Sequence, residues 1–168
     1  MSSSVASSSW RATAISYYEL GDYETNGCQY YFFEAFYDAV EDRIPVIFHM
    51  GDHRFDYSHP ARLKRLLELF PRLQVIAAHF GGYSMYETAY ELLHDKDCIF
   101  DVSSSMMFME KGIPEKFINI YGAERMAFGT DYPLWDPVTE TKRFLELNLT
   151  DEQFEQIGHK TVERFLGL

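Results

Sequence analysis

Cysteine, positive charge and long apolar runs are all scarce in this chain, and each shortage excludes something. Only two cysteines, Cys28 and Cys98, occur in 168 residues. They lie 70 positions apart and match neither a CxxC pair nor a zinc-ribbon spacing, so nothing in them argues for an oxidising compartment. Fifteen Lys and Arg face 26 Asp and Glu, a formal charge of −11. Such a surface repels a phosphate backbone and excludes nucleic-acid binding through a basic face. The longest apolar runs, such as residues 44–48 and 75–78, are far short of the roughly 20 residues that span a bilayer. The start of the chain is Ser-rich and lacks the apolar stretch of a secretory signal. A cytoplasmic protein with no nucleic-acid or membrane partner is the expectation. Gly81-Gly82 allows close backbone approach, but no Walker or GxGxxG phosphate loop exists.

What is present reads as one globular domain, with 46% hydrophobic and 24% charged residues. Residues 1–20 form a Ser-rich tail and an unassigned segment, in which residues 10–20 suit a strand or a helix. Residues 21–168 form the domain. Residues 30–40 predict an aromatic-rich helix. From there, short apolar runs at 44–48, 73–78, 98–102 and 125–129 predict strands, each followed by a helical pattern. Leu63, Leu66, Leu67 and Phe70 repeat at the helical period after Ser58 and Pro60, which predict the helix start. Ser84 predicts the cap of a helix running to about Leu93. Residues 114–121 predict a helix stopped by Gly122. Asp136-Pro137 and Thr150 open the last two. The strands start 29, 25 and 27 residues apart, the length of one βα unit. Their nearly continuous apolar character suits a parallel sheet buried on both faces.

The polar residues that end these runs carry the functional signal. The first run ends in His49, the second in His79, the third in Asp101, and Asp131 follows the fourth. Parallel strands put all their C-terminal ends on one rim, where barrels of this kind hold their active sites. Neutral imidazole and carboxylate are the donors zinc prefers. One His or Asp at a strand end more often caps a loop, but three in phase argue for a site. Asp101 equally suits an Asx-type turn onto the Ser103–Ser105 backbone. Tyr83, Tyr132 and Trp135 directly follow candidate ligands, which makes Tyr83 and Trp135 candidate substrate contacts. His53, in the loop of residues 51–59, is another. His94 and His159 read as solvated.

The ordered set FHMGD, AAHFGGY, FDVSSS and FGTDYP resembles the second half of the amidohydrolase-related, metal-dependent TIM-barrel hydrolases. The branch resembled also contains non-oxidative decarboxylases. The resemblance implies an α/β fold, the C-terminal half of a (β/α)8 barrel with about four parallel βα units and flanking helices. It implies a divalent metal, zinc first, with manganese or iron as alternatives. His49 would be a metal ligand, and His79 would ligate a second metal or orient substrate. Asp131 would bind metal and take a proton from its water. His79 and Asp131 are thus the catalytic candidates. The family's first-strand HxH pair is missing from this chain, and a full barrel runs to about 250 residues. Four parallel strands leave open edges, so a homo-oligomer or a separate first-half chain is the expected partner, beside a small-molecule substrate. Hydrolysis of a small amide, ester or lactone is the leading expectation. The alternatives are an inert half-barrel with a structural or interaction role, a decarboxylase on the same scaffold, and a metal-free module binding a small ligand at the strand ends.

Overall fold

A computed structural model describes residues 13–15, 37 and 44–168. Five parallel strands lie in sequence order: β1 Thr13–Ile15, β2 Val46–Phe48, β3 Val75–Ala77, β4 Ile99–Asp101 and β5 Met126–Ala127. The segment left open between strand and helix thus contributes a strand, in register with Thr13 opposite Val46. Tyr37 is helical, and the rest of the expected 30–40 helix, the Ser-rich tail and Cys28 lie outside the described residues. The crossover helices are α1 Pro60–Leu69, α2 Tyr86–Leu93 and α3 Ile113–Tyr121, and α4 Pro137–Leu145 follows β5. Four consecutive βα units with sequential strand order make a segment of barrel wall. The chain closes with α5 Asp151–Glu155, a π-type turn over Gln156–Lys160 and α6 Thr161–Leu166, so the expected last helix is interrupted. Among the described residues no helix is long and apolar enough to cross a membrane.

Alternation along the strands sorts side chains between two apolar clusters. Val46, Phe48, Val75, Ala77, Phe100 and Met126 pack with Leu63 and Leu66 of α1, Leu93 of α2 and Phe117 of α3 in the main core. Ile76, Ile99 and Ala127 form a second cluster, with Ile47 and Phe165 packed against it. Cys98 joins the main core, where burial pushes its thiol up to about 12 and makes it inert.

Two caps differ from expectation. His59, not Ser58, caps α1, with Nδ1 accepting from Ala61 N at 3.1 Å. The Ser58 hydroxyl instead donates to Gly51 O at 2.6 Å. Ser84 does not cap α2, whose N-cap is Met85 with no side-chain bond. Asp136 caps α4 by accepting from Thr139 N, and Thr150 forms a capping box with Gln153. Gly122 ends α3 at φ 89°, a conformation suited to glycine.

Arg125 locks the turn between α2 and β4. It donates to the carbonyls of His94, Lys96 and Cys98, and its guanidinium lies 5.1 Å over the Phe100 ring. Helix C-terminal carbonyls are short of intrahelical donors, and here one planar cation satisfies several at once. Arg125→Ala is expected to destabilise the chain by about 1–3 kcal/mol, measured as a lowered denaturation midpoint at unchanged slope.

Candidate functional site

The rim is built by zipping the loop after β2 onto the loop after β3. Tyr83 N donates to Met50 O at 2.8 Å, and Asp52 N donates to Tyr83 O at 2.9 Å. Gly51 sits at φ +91°, and any Cβ there would strike the Tyr83 backbone. Only glycine fits, which explains the Gly of FHMGD.

This brings His49 and His79 into contact. His49 Nδ1 lies 2.9 Å from His79 Nε2, with the ring centroids 4.7 Å apart and the rings edge to face. The other His79 nitrogen, Nδ1, is 3.1 Å from Ser103 O and 3.0 Å from Ser103 Oγ. A carbonyl only accepts, so the partners assign the proton of neutral His79 to Nδ1. Its Nε2 then accepts from His49 Nδ1–H, which puts the lone pair of neutral His49 on Nε2. Burial, aided by His79, lowers the His49 pKa to about 4, while the carboxylates of Asp131, Asp52 and Asp101 pull the other way. His49 is therefore a neutral imidazole near neutral pH.

Asp101 organises the neighbouring strand end. Its Oδ1 accepts from His79 N at 2.9 Å, Ser103 N at 3.0 Å and Ser103 Oγ at 2.6 Å. The Asx-type turn expected for Asp101 is present, and the same oxygen also holds the His79 backbone. Beside it, Ser104 donates to Asp131 Oδ2 at 2.6 Å, and Trp135 Nε1 donates to Ser104 Oγ at 2.9 Å. His79, Ser104 and Asp131 all have left-handed backbones, at φ 61°, 51° and 56°. Such values are uncommon outside glycine and gather where surroundings over-determine the chain.

Donor type fits a divalent metal: His49 Nε2 is a neutral imidazole nitrogen and Asp131 a carboxylate. Donor number is smaller than a complete site needs. Among the described residues no group of three or more His, Cys, Asp or Glu side chains is placed to hold an ion. His49 and Asp131, with His79 behind His49, are a partial set.

A family profile described as Amidohydrolase matches residues 18–168. The chain belongs to the amidohydrolase family. No curated protein matches it. An uncharacterised TIM-barrel protein from Bordetella bronchiseptica superposes with TM-score 0.65 at 28% identity, covering 80% of this chain and 50% of that one. A 2,6-dihydroxybenzoate decarboxylase from Rhizobium gives TM-score 0.65 at 17% identity, covering 83% and 55%. A dihydroxybenzoic acid decarboxylase from Polaromonas, solved with manganese and the inhibitor 2-nitroresorcinol, gives 0.63 at 15%, covering 80% and 53%. This amidohydrolase chain spans about half the length of these solved structures, and its fold is half of a TIM barrel.

The other expected site residues divide. Tyr83 stands edge-on to His79 at 6.3 Å and to Phe108 at 5.7 Å, and Phe108 meets Trp135 at 6.0 Å. Phe108 is 55% exposed and was not signalled by the sequence, because nothing marks one Phe among fourteen. Together the three rings form an aromatic row beside the histidine pair. His53 Nδ1 lies 2.8 Å from Ser84 Oγ, in the loop after β3. Ser103 and Ser104 were legible only as a polar loop; their partners follow from strand register.

Asp52 anchors the loop below His53. It is buried, and Arg54 Nε and Nη2 donate to its two oxygens at 2.8 and 2.6 Å. The Arg54 hydrogen bond, against the opposing effect of burial, lowers the Asp52 pKa to about 2 from an ordinary 3.8. A carboxyl with a lowered folded-state pKa stabilises the fold above its unfolded value, and that contribution disappears as pH falls through the folded value. Asp52→Asn is therefore expected to lower stability at neutral pH and to flatten the loss of stability between about pH 4 and pH 2, followed by urea denaturation across that range.

Proposed function

We propose that this chain carries the later-strand rim of an amidohydrolase-type metal site that hydrolyses a small amide, ester or lactone. The observation that carries the reading is the His49–His79 pair, 2.9 Å apart, on the same rim as Asp131. When bound, a divalent metal lowers the pKa of its water toward neutrality and polarises a carbonyl. Zinc is the leading candidate, and manganese and iron suit the same donors.

His49 and Asp131 would hold that metal. The His49 donor atom is Nε2, kept neutral by burial and aimed by the bond from Nδ1–H to His79. A hydrogen-bond acceptor behind a ligating imidazole fixes its tautomer and ring plane. His79 is itself held by Ser103 and Asp101, so it cannot swing away from His49. With both ring nitrogens engaged in this way, His79 acts by positioning His49. Asp131, whose Oδ2 is held by Ser104, would also accept the proton that leaves the attacking water.

Decarboxylation of a small aromatic acid is a second reading, favoured by the Tyr83, Phe108 and Trp135 row. A planar ring fits against such edges with centroid spacings of about 4.5–7 Å. Several of the similar solved structures are decarboxylases of hydroxylated aromatic acids.

Elemental mass spectrometry of the purified chain after loading with zinc or manganese tests the metal site, with hydrolase and decarboxylase screens on the loaded sample. The expectation is near-stoichiometric metal in the wild type. His49→Ala and Asp131→Ala should each lower affinity by at least about 100-fold and abolish turnover, leaving circular dichroism unchanged. A wild type that takes up neither ion, or turnover that survives both substitutions, would sink the proposal. The aromatic reading has its own check. Phe108→Ala should weaken binding of a hydroxylated benzoate by about 5- to 10-fold, the worth of one ring contact, and leave an aliphatic ester unaffected.

A further inference from the structure

We propose that Ser104 and Trp135 are positioning residues that decide which oxygen of Asp131 is offered to the site. This rests on Asp131 having the role given above, and it gives Trp135, first expected to touch substrate, a further task.

The polarity of this chain of bonds is fixed by chemistry. An indole N–H can only donate, so the 2.9 Å contact from Trp135 Nε1 engages a lone pair of Ser104 Oγ. The serine has one proton, and at 2.6 Å from Asp131 Oδ2 it goes to the carboxylate. Neither contact depends on a tautomer. Ser104 therefore takes a bond from the tryptophan and gives one to the aspartate. That bond engages one lone pair of Oδ2, which biases an ion or a proton toward Oδ1.

The serine is also built to stay where it is. It is 5% exposed, whereas Asp131 is an exposed residue of a surface loop. Its left-handed backbone, at φ 51°, costs a non-glycine residue about 1–2 kcal/mol, and the fold retains it. Its neighbour Ser103 is bonded to both His79 and Asp101. Two consecutive serines thus set the histidine and the aspartate relative to each other, with Ser103 facing one and Ser104 the other. An exposed carboxylate has many rotamers available, and a buried hydroxyl whose own direction is fixed from behind removes most of them.

The test needs no substrate. In the full chain labelled with 15N, Trp135 and Trp10 supply the indole N–H signals, and Trp135→Phe assigns them. Asp131→Ala is expected to shift the Trp135 indole proton although the two side chains share no bond, because the freed Ser104 hydroxyl turns. The same substitution in a Ser104→Gly background should produce no such shift; glycine suits the left-handed backbone and spares the loop. An unchanged indole signal in Asp131→Ala, or equal shifts in both backgrounds, would overturn the proposal. Calorimetric titration with Mn2+ or Zn2+ alone adds a second readout. Ser104→Gly and Trp135→Phe should each weaken binding by about 10- to 100-fold, the usual effect of removing a partner behind a ligand. Wild-type affinity in both variants would also overturn it. A wild type that binds no ion would instead remove the metal reading, and the indole shifts would still decide whether the Trp135–Ser104–Asp131 chain exists.

Discussion

A single carboxylate oxygen, Oδ1 of Asp101, holds the rim together. It accepts from the backbone N–H of His79 and from both the backbone and the hydroxyl of Ser103. Asp101 ends β4 and His79 follows β3, so this oxygen joins two adjacent strand ends above the last ladder bond. Everything distal depends on it. The Ser103 carbonyl and hydroxyl fix the His79 ring, that ring orients His49, and the next residue in the chain reaches Asp131. Hydrogen bonds to a charged acceptor are the stronger kind, and three on one atom make a rigid hub.

That hub can form only because the sheet beneath it is parallel and sequential. Ala77 pairs with Phe100 and Phe48 with Ala77, so the strands end level with one another. Level ends place consecutive loops side by side, as the Gly51–Tyr83 bridge illustrates. The side chains on the two faces of the sheet fix this register, because a one-residue slip would exchange the residues that fill the two apolar clusters. Core packing and site geometry are therefore one constraint.

Four of the five strands, four of the helices and the rim positions of His49, His79 and Asp131 were legible in the sequence. Apolar runs bounded by glycine, and the period through Leu63, Leu66 and Leu67, are local signals that tertiary context did not override. Other features were not local. β1 is as long as β2 to β4, but its Thr13-Ala14-Ile15 is not part of a continuous apolar run bounded by breakers. Ser58 and Ser84 carry good capping chemistry, yet both hydroxyls serve loop contacts, and His59 caps α1. The bonds from Ser103 to His79, from Ser104 to Asp131 and from Trp135 to Ser104 span 24 to 31 residues, beyond what any spacing rule reaches. Family motifs named the rim residues, whereas the bonds that aim them emerge only once neighbouring strands are in register.

Among the described residues, six outside glycine adopt positive φ: Asp52, His79, Phe80, Ser84, Ser104 and Asp131. All lie in loops that leave the C-terminal ends of β2 to β5. The molecule thus stores its backbone strain on one side, opposite the strand starts. Glycine at any of these positions would relieve about 1–2 kcal/mol of it. Where the side chain holds neither a core position, as Phe80 does, nor an ion pair, as Asp52 does, selection for heat resistance alone would trade the rim's imidazole, hydroxyls and carboxylate for glycine. A thermostable descendant of this chain would keep its core and lose its chemistry.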